Sequence, residues 1–203
     1  FRENLQIEQL SSTDVSMNGI QVSAENADGT GLEVNKAAFA VDACMESFER
    51  AHDQGAELLF VHHGLFWGRP LPLTGSHYRR LKVLLDNRIA LYAAHLPLDM
   101  HPEFGNNAGI CRDLGVSSPV PFGSYHGIKI GFKGELDKPG RLDDILESLG
   151  LNRSRALSVL PFGPEEIRSV AVVSGGASEE VYEAIDEKVD LYITGDAAHQ
   201  IYH

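Results

Sequence analysis

The chain has 203 residues, of which 43% are apolar and 23% are charged, enough for one large globular domain or two small ones. A net charge of −12 argues against binding to the phosphate backbone of nucleic acids, and no run approaches the roughly 18 apolar residues of a membrane-spanning helix. The two cysteines, Cys44 and Cys111, form neither a disulfide framework nor a zinc-finger spacing, which favours a reducing, cytoplasmic setting. The chain starts without Met and stops within the first turns of a predicted helix, so we expect both ends to be incomplete.

Strands and helices are expected to alternate along the first 120 residues. An apolar strand ends at Asp42, a helix with one apolar face follows, and a second apolar strand covers Leu58–Val61. A strand, a helix and a strand within about 30 residues predict a right-handed, parallel βαβ unit. A helix over Ser76–Asn87, a strand over Ile89–Ala94 and a helix that stops at Gly115 complete this half.

Residues 121–203 repeat part of this pattern. Placing Asp42 over Ser174, an offset of 132 residues, aligns two apolar strands in each segment without a gap. Strands are predicted in this half at His126–Lys133, Ala156–Leu160, Ile167–Val173 and Leu191–Thr194. The sequence therefore predicts an α/β fold of two similar three-layer halves with mostly parallel sheets, residues 1–120 and 121–203. We expect the second half to be truncated at its C-terminal end, and a strand-end metal site to lie between the halves.

The stretch Leu58–Trp67, LLFVHHGLFW, carries two adjacent histidines at the carboxyl end of a predicted strand. In open α/β sheets, ligands bind outside the carboxyl ends of strands, so His62 and His63 lie where such proteins place their chemistry. Neighbouring residues of a strand face opposite ways, so both imidazoles serve one site only if the strand ends at His62 and the chain bends at Gly64. The alternative is one buried structural histidine and one exposed histidine.

Further metal-binding side chains stand at or near the ends of predicted strands. The candidates are His62, His63, His95, Asp99, His101, Asp42, Asp196 and His199. Imidazoles and carboxylates bind Zn²⁺, Mn²⁺ and Fe²⁺, and a carboxylate can bridge two cations. His62 and His63 with Asp99 between them would form half of a two-metal site, and His95 would orient a ligand or shuttle a proton. The alternative for Asp99 is a helix or turn cap, and three ligands are too few for two metals.

Six segments occur in the order seen in one known family. They are DVSMNGIQV (Asp14–Val22), AVD (Ala40–Asp42), LLFVHHGLFW (Leu58–Trp67), HLPLDMHPEFGNN (His95–Asn107), CRDLG (Cys111–Gly115) and LYITGDAAH (Leu191–His199). Over nearly its whole length the chain resembles the Nif-three-like dinuclear metal-centre family, in its compact bacterial form. Many members of that family carry the name GTP cyclohydrolase I type 2. The two histidine segments, with the Gly-Asn-Asn that follows the second, are specific together, and the other segments support them.

The resemblance implies a ligand set and an assembly. It implies that His62, His63 and Asp99 bind a pair of divalent metal ions, with zinc, iron and manganese all open. It also implies that a His-x-x-x-Glu pattern with the remaining ligands lies beyond His203, and that the chain forms a toroidal homohexamer.

Two main functions remain open at this stage. The first is a hydrolase in which a metal-activated water attacks a nucleotide, since the family name implies opening of the guanine ring of GTP. Arg69, Arg79 and Arg80 would then either meet an anionic substrate or be solvated. The second function is a non-catalytic, ring-shaped scaffold or a protein for metal storage or delivery. A third reading, an α/β binding domain without metal, holds if the histidines are structural.

Overall fold

The structure, a computed structural model, describes residues 3–10, 13–26 and 28–202. The chain divides into two compact units, Phe1–Leu98 and Asp99–His203, and each unit contains one four-stranded sheet. The predicted α/β class is confirmed. The division falls after Leu98, whereas the sequence places the boundary after residue 120, and the organisation into two domain-like halves stays a prediction.

The first unit contains four strands and two long helices. After a short 3-10 helix at Ile7–Leu10, its elements are β1 (Gly19–Val22), β2 (Ala37–Asp42), α1 (Met45–Asp53), β3 (Leu58–His63), α2 (Gly75–Asp86) and β4 (Ala90–Ala93). The strand order is β1-β4-β3-β2, with β2, β3 and β4 parallel and β1 antiparallel to β4. A short helix, α3 (Leu96–Asp99), follows β4 directly.

The apolar run of β3 is explained by its position inside this sheet. Leu59 and Val61 are buried in a cluster that includes Phe48 of α1 and Leu84 of α2. Phe60 points to the other face, where it belongs to a second cluster with residues of the N-terminal segment and of β4. A strand that is covered on both faces needs apolar side chains at every position, so it shows no alternation.

The second unit pairs its strands differently. Its elements are α4 (Asn106–Asp113), β5 (Val120–Tyr125), β6 (Ile128–Gly140), α5 (Leu142–Ser148), β7 (Ile167–Val173), α6 (Val181–Asp186), β8 (Leu191–Thr194) and a 3-10 helix at His199–Tyr202. The strand order is β5-β6-β7-β8, in which β5–β6 and β6–β7 are antiparallel and β7–β8 is parallel. Parallel pairing therefore prevails only in the first unit.

In the second unit one predicted strand is absent and one observed strand was not predicted. Residues 156–160 form no strand, and Leu157 is 78% exposed, so its apolar character reflects a surface loop. The sequence analysis also missed β5, which is interrupted by Pro121 and Gly123. The two-residue turn His126-Gly127 joins β5 to β6 with positive φ at both positions, which is the geometry of a tight hairpin.

The internal repeat is confirmed down to its hydrogen-bonding register. In the first unit Ala38 pairs with Leu59, and in the second unit Val170 pairs with Leu191, at the same offset of 132 residues. The βαβ unit from β2 to β3 and the one from β7 to β8 are therefore built on one plan. Among the residues that the structure describes, no helix has the length and apolarity needed to cross a membrane.

Candidate metal centre

Three histidines come together at the carboxyl edge of the first sheet. His62 and His63 end β3, and His95 follows β4, the neighbouring parallel strand. Each offers one ligand atom, and these three atoms lie within 4.8 Å of one another. Parallel neighbouring strands end at the same edge of a sheet, which is why the side chains of His63 and His95, 32 residues apart in sequence, can meet here.

Each imidazole is fixed by a hydrogen bond at its Nδ1 atom. Nδ1 of His62 lies 2.9 Å from the carbonyl oxygen of Ala94, and Nδ1 of His63 lies 2.7 Å from a carboxylate oxygen of Asp42. Nδ1 of His95 lies 2.9 Å from a carboxylate oxygen of Asp14. A carbonyl or carboxylate oxygen only accepts, so each neutral ring carries its proton on Nδ1 and its lone pair on Nε2.

This pattern matches the way proteins prepare histidines for a metal. Metal-binding imidazoles almost always donate their second N–H to a carboxylate or a backbone carbonyl, which fixes the tautomer and orients the ring. Here one ring has a carbonyl partner and two have carboxylate partners. The donor set therefore fits a borderline divalent cation such as Zn²⁺, Fe²⁺ or Mn²⁺.

Asp14 is the organising residue behind His95. Its side chain is 1% exposed, and its two oxygens accept hydrogen bonds from the backbone N–H groups of Ser16 and Leu96. They also accept from Asn18 Nδ2 and His95 Nδ1. Burial by itself raises the pKa of Asp14, but the hydrogen bonds from His95, Asn18 and Ser16 outweigh it and hold the pKa below its usual value.

The two adjacent histidines approach each other although β3 does not stop between them. The strand includes His63, whereas the sequence analysis required it to end at His62. The ring centroids are nevertheless 4.6 Å apart. Their Nδ1 partners lie on opposite flanks of β3, because Ala94 follows β4 and Asp42 ends β2. These two hydrogen bonds hold both rings over the end of the strand.

Asp99, the predicted bridging ligand, is the first residue of the second unit. It is buried, and its carboxylate accepts hydrogen bonds from Asn106 Nδ2 at 2.7 Å and from Ser174 Oγ at 3.1 Å. Asn107 is completely buried and donates to the carbonyl oxygens of Asp99 and Ile130. Asp99 is therefore held firmly in place, and its role as a metal ligand stays a prediction.

The remaining candidates have other surroundings. His101 accepts backbone N–H groups of Glu103 and Phe104 at Nδ1 and stacks on the Phe104 ring, so it shapes a turn. Asp196 accepts the N–H of the next residue and is exposed, and His199 begins the last 3-10 helix. None of these three belongs to the histidine group found in the described part of the chain.

Sequence reasoning missed Asp14 and Trp67. Trp67 packs against His95 and His63, with ring centroids 5.1 and 6.0 Å apart, and its indole N–H donates to the carbonyl oxygen of Gly64. Both residues lie in segments quoted for the family resemblance, and that was the only signal in the sequence. For His95, the predicted role as an orienting residue or proton shuttle stays a prediction, and the structure adds its place among three potential ligands.

A sequence profile of the Duf34/NIF3 (NGG1p interacting factor 3) family matches residues 2–203. The chain belongs to this family. A protein of Archaeoglobus fulgidus is 48% identical over 190 residues, which cover 94% of this chain and 73% of that protein. A protein of Treponema pallidum is 39% identical over 236 aligned positions, covering all of this chain and 81% of the relative. Both relatives are named GTP cyclohydrolase 1 type 2 homolog.

Solved structures share the fold over the whole chain. Protein ybgI, described as of unknown function, superposes with a TM-score of 0.85 at 32% identity. TTHA1606 from Thermus thermophilus superposes with a TM-score of 0.84 at 35% identity. Each comparison covers all of this chain and 77% of the other. This NIF3-family protein is thus similar to structures whose names state no activity.

Proposed function

We propose that this NIF3-family protein binds a divalent metal ion at His62, His63 and His95 and uses it to hydrolyse a nucleotide. The observation that supports the metal is the common hydrogen-bonding pattern, since all three rings present Nε2 while an oxygen atom holds Nδ1. Three protein ligands are the usual number at an open, catalytic zinc site. A structural site normally has four, so this group suits chemistry better than a purely structural role.

The chemistry divides between the ion and the chain. When bound, a divalent cation supplies Lewis-acid polarisation and makes water reactive near neutral pH. Asp42 and Asp14 accept the Nδ1 protons of His63 and His95 and keep their rings in position. Trp67 shields one side of the group from solvent. The chain thus provides oriented ligands and an aromatic side chain that limits the access of water on one side.

The substrate class rests on the relatives. Two proteins that align with at least 90% of this chain carry the name GTP cyclohydrolase 1 type 2 homolog, which refers to the opening of a guanine ring. We therefore propose GTP or a related nucleotide as the substrate. A second ion, bridged by Asp99, and assembly into a homohexamer complete the proposal, and both rest on the family resemblance. The proposed cytoplasmic location rests on the two free cysteines, Cys44 and Cys111.

Metal analysis and turnover on the same samples test this proposal. The chain is loaded with Zn²⁺, Mn²⁺ or Fe²⁺, desalted and analysed by plasma mass spectrometry, and GTP consumption is followed by chromatography. We expect bound metal and turnover in the wild type, and the loss of both in His63→Ala. His52→Ala is the matched control, because His52 is an exposed histidine of α1.

The outcomes separate the two functions left open by the sequence. Absence of metal from the wild type after loading overturns the metal proposal. Bound metal without turnover of any nucleotide overturns the hydrolase and favours storage, delivery or a scaffold. Light scattering on the eluted protein tests the homohexamer separately, and a monomer in solution contradicts it.

A further inference from the structure

A cavity of about 570 Å³ lies beside the histidines, within the first unit. It is lined mainly by two segments of chain, residues 13–18 and 67–69. Its volume falls in the range of about 300–1,000 Å³ that is typical of small-molecule sites. Two of its lining residues, Trp67 and Asp14, contact the histidine rings directly, so the cavity shares a wall with the candidate metal centre.

Hydrogen bonds join the two segments that line the cavity, so the cavity is preformed. The backbone N–H of Met17 donates to the carbonyl oxygen of Phe66 at 3.0 Å. Gln21 Oε1 accepts the N–H of Leu65 at 2.7 Å, and Gln21 occupies the space that a Cβ at Gly64 would need. Gly68 has a φ of +70°, and a Cβ there would lie 3.3 Å from the carbonyl oxygen of Val15. A rigid cavity binds its ligand at a lower entropic cost.

One buried hydroxyl of the lining residues has no hydrogen-bond partner among the residues that the structure describes. Ser16 is 5% exposed, and its Oγ makes no hydrogen bond to any residue that the structure describes. A buried polar atom without a partner is costly, and it is rare in native proteins unless water or a ligand satisfies it. Ser16 Oγ has almost no exposed surface, so it lies within the cavity wall and does not face a ligand in the open cavity.

The charges of the lining favour an anion. Asp14 is the one acidic residue among the described lining residues, and its carboxylate is fully used by four hydrogen bonds inside the protein. Arg69 is exposed at the cavity and pairs with no carboxylate in the described parts of the chain. In a chain of net charge −12, an arginine without a carboxylate partner at a cavity is a ready phosphate site.

The same lining also exposes apolar surface. Val15 and Met17 are 63% and 56% exposed, and they line the cavity together with the Trp67 side chain. Aromatic and thioether side chains are common partners of planar rings. We propose that this cavity holds the substrate nucleotide, with its base against Trp67 and Met17 and its phosphate at Arg69. The inference rests on the proposed function and deepens it, because it assigns the nucleotide a site.

Trp67 is the only tryptophan of the chain, so its fluorescence reports directly on this cavity. The probes are GMP, guanosine and inorganic phosphate, titrated into the full chain stripped of metal by a chelator. Equilibrium dialysis of the same mixtures measures binding independently of fluorescence. We expect GMP to bind with a change in Trp67 emission, and guanosine to bind at least about tenfold more weakly because it lacks the charged group.

Two arginine variants decide where the phosphate binds. Arg69→Gln is expected to weaken GMP binding about tenfold or more and to leave guanosine binding nearly unchanged. Arg79→Gln is the matched control, because Arg79 is an exposed arginine of α2 outside the cavity lining, and it should bind GMP like the wild type. Equal GMP affinity in the two variants, or no GMP binding by dialysis, overturns the inference.

The failure of this inference differs from the failure of the proposed function. If metal-loaded protein turns over GTP and neither Arg69→Gln nor Trp67→Phe changes the rate, the proposed hydrolase activity is supported and the proposed nucleotide site in the cavity is overturned. If GMP binding depends on Arg69 but the protein turns over no nucleotide, the proposed hydrolase activity is overturned and the nucleotide site in the cavity is supported.

Discussion

The two βαβ repeats share a backbone plan and differ in what stands at their strand ends. In the first unit β2 pairs with β3, and in the second unit β7 pairs with β8, in the same parallel register. The ends of β2 and β3 carry Asp42 and His63, whereas the equivalent positions in the second repeat are Ser174 and Gly195. The two repeats therefore share their backbone geometry, but only the first has a carboxylate and a histidine at these two strand-end positions.

Backbone packing explains why the second copy has no histidine at this position. A Cβ at Gly195 would lie 2.9 Å from the backbone nitrogen of Gly175 and 3.1 Å from its carbonyl oxygen. Backbone atoms cannot move aside as the tip of a side chain can, so any side chain at position 195 is excluded. In the first copy, the equivalent residue His63 turns its ring toward Asp42 instead.

The equivalent residues Asp42 and Ser174 nevertheless do related work. Asp42 accepts a hydrogen bond from Nδ1 of His63, and Ser174 donates one to Asp99. Each strand-end residue thus positions one predicted metal ligand of its own unit. The repeat thus places a hydrogen-bonding residue at each of two strand ends: a carboxylate beside the predicted histidine ligand and a hydroxyl beside the predicted carboxylate ligand.

The largest predicted difference between the two repeats is the loss of stability when two equivalent leucines, Leu59 and Leu191, are replaced by alanine. Leu59 of β3 is 1% exposed inside its sheet, whereas Leu191 occupies the same register position on the edge strand β8 and is only partly buried. Leu59→Ala should cost about 2–5 kcal/mol of stability, and Leu191→Ala about 1–2 kcal/mol. Urea unfolding followed by circular dichroism measures both. Equal losses of stability would show that the position of the strand within its sheet does not determine how much each leucine contributes.

The strand-end supports should differ in their effect on metal affinity. Asp42→Asn removes the charge that orients His63, so metal binding should weaken about 10–100-fold. Ser174→Ala removes one neutral donor to Asp99, so the loss should stay below about tenfold. Competition with a chromophoric chelator gives both affinities. An unchanged affinity in Asp42→Asn would separate this carboxylate from the metal centre.

The smallest effect concerns a carboxylate clamp at the opposite end of each repeat. Asp190 accepts the backbone N–H groups of Arg168 and Ser169, and Glu57 accepts those of Asn35 and Lys36. For Asp190, burial raises the pKa, but the two backbone donors hold it below its usual value. A lowered pKa in the folded state contributes stability above the unfolded pKa of about 3.9, and that stability is lost as the pH falls through the folded value.

Asp190→Asn should therefore lower stability at pH 7 by less than about 1 kcal/mol, and the difference from wild type should shrink as the pH falls through the lowered pKa of the folded state. Thermal unfolding at a series of pH values measures this. Glu57→Gln is the counterpart in the first repeat, where the pKa of Glu57 is lowered by the N–H groups of Asn35 and Lys36. A penalty of Asp190→Asn that does not shrink as the pH is lowered would contradict the assignment.

The tertiary structure was needed wherever distant segments meet. Nothing near His95 in sequence identifies Asp14, because the two residues are 81 positions apart and join only through β1 and β4. The loop 156–160 was mistaken for a strand because apolar content alone does not distinguish a buried strand from an apolar surface loop. The hairpin turn at His126 was missed because its positive φ is a property of the fold.

The sequence by itself determined the α/β class, the repeat with its offset of 132 residues, and the pairing of His62 with His63 at a strand end. Hydrophobic periodicity carries this information because it records which faces of each element are buried. Only the tertiary structure decided that His95 joins them, which Nδ1 partners set their tautomers, and that a cavity lies behind Trp67. These features depend on side-chain directions across neighbouring strands and loops, which no local pattern in the chain specifies.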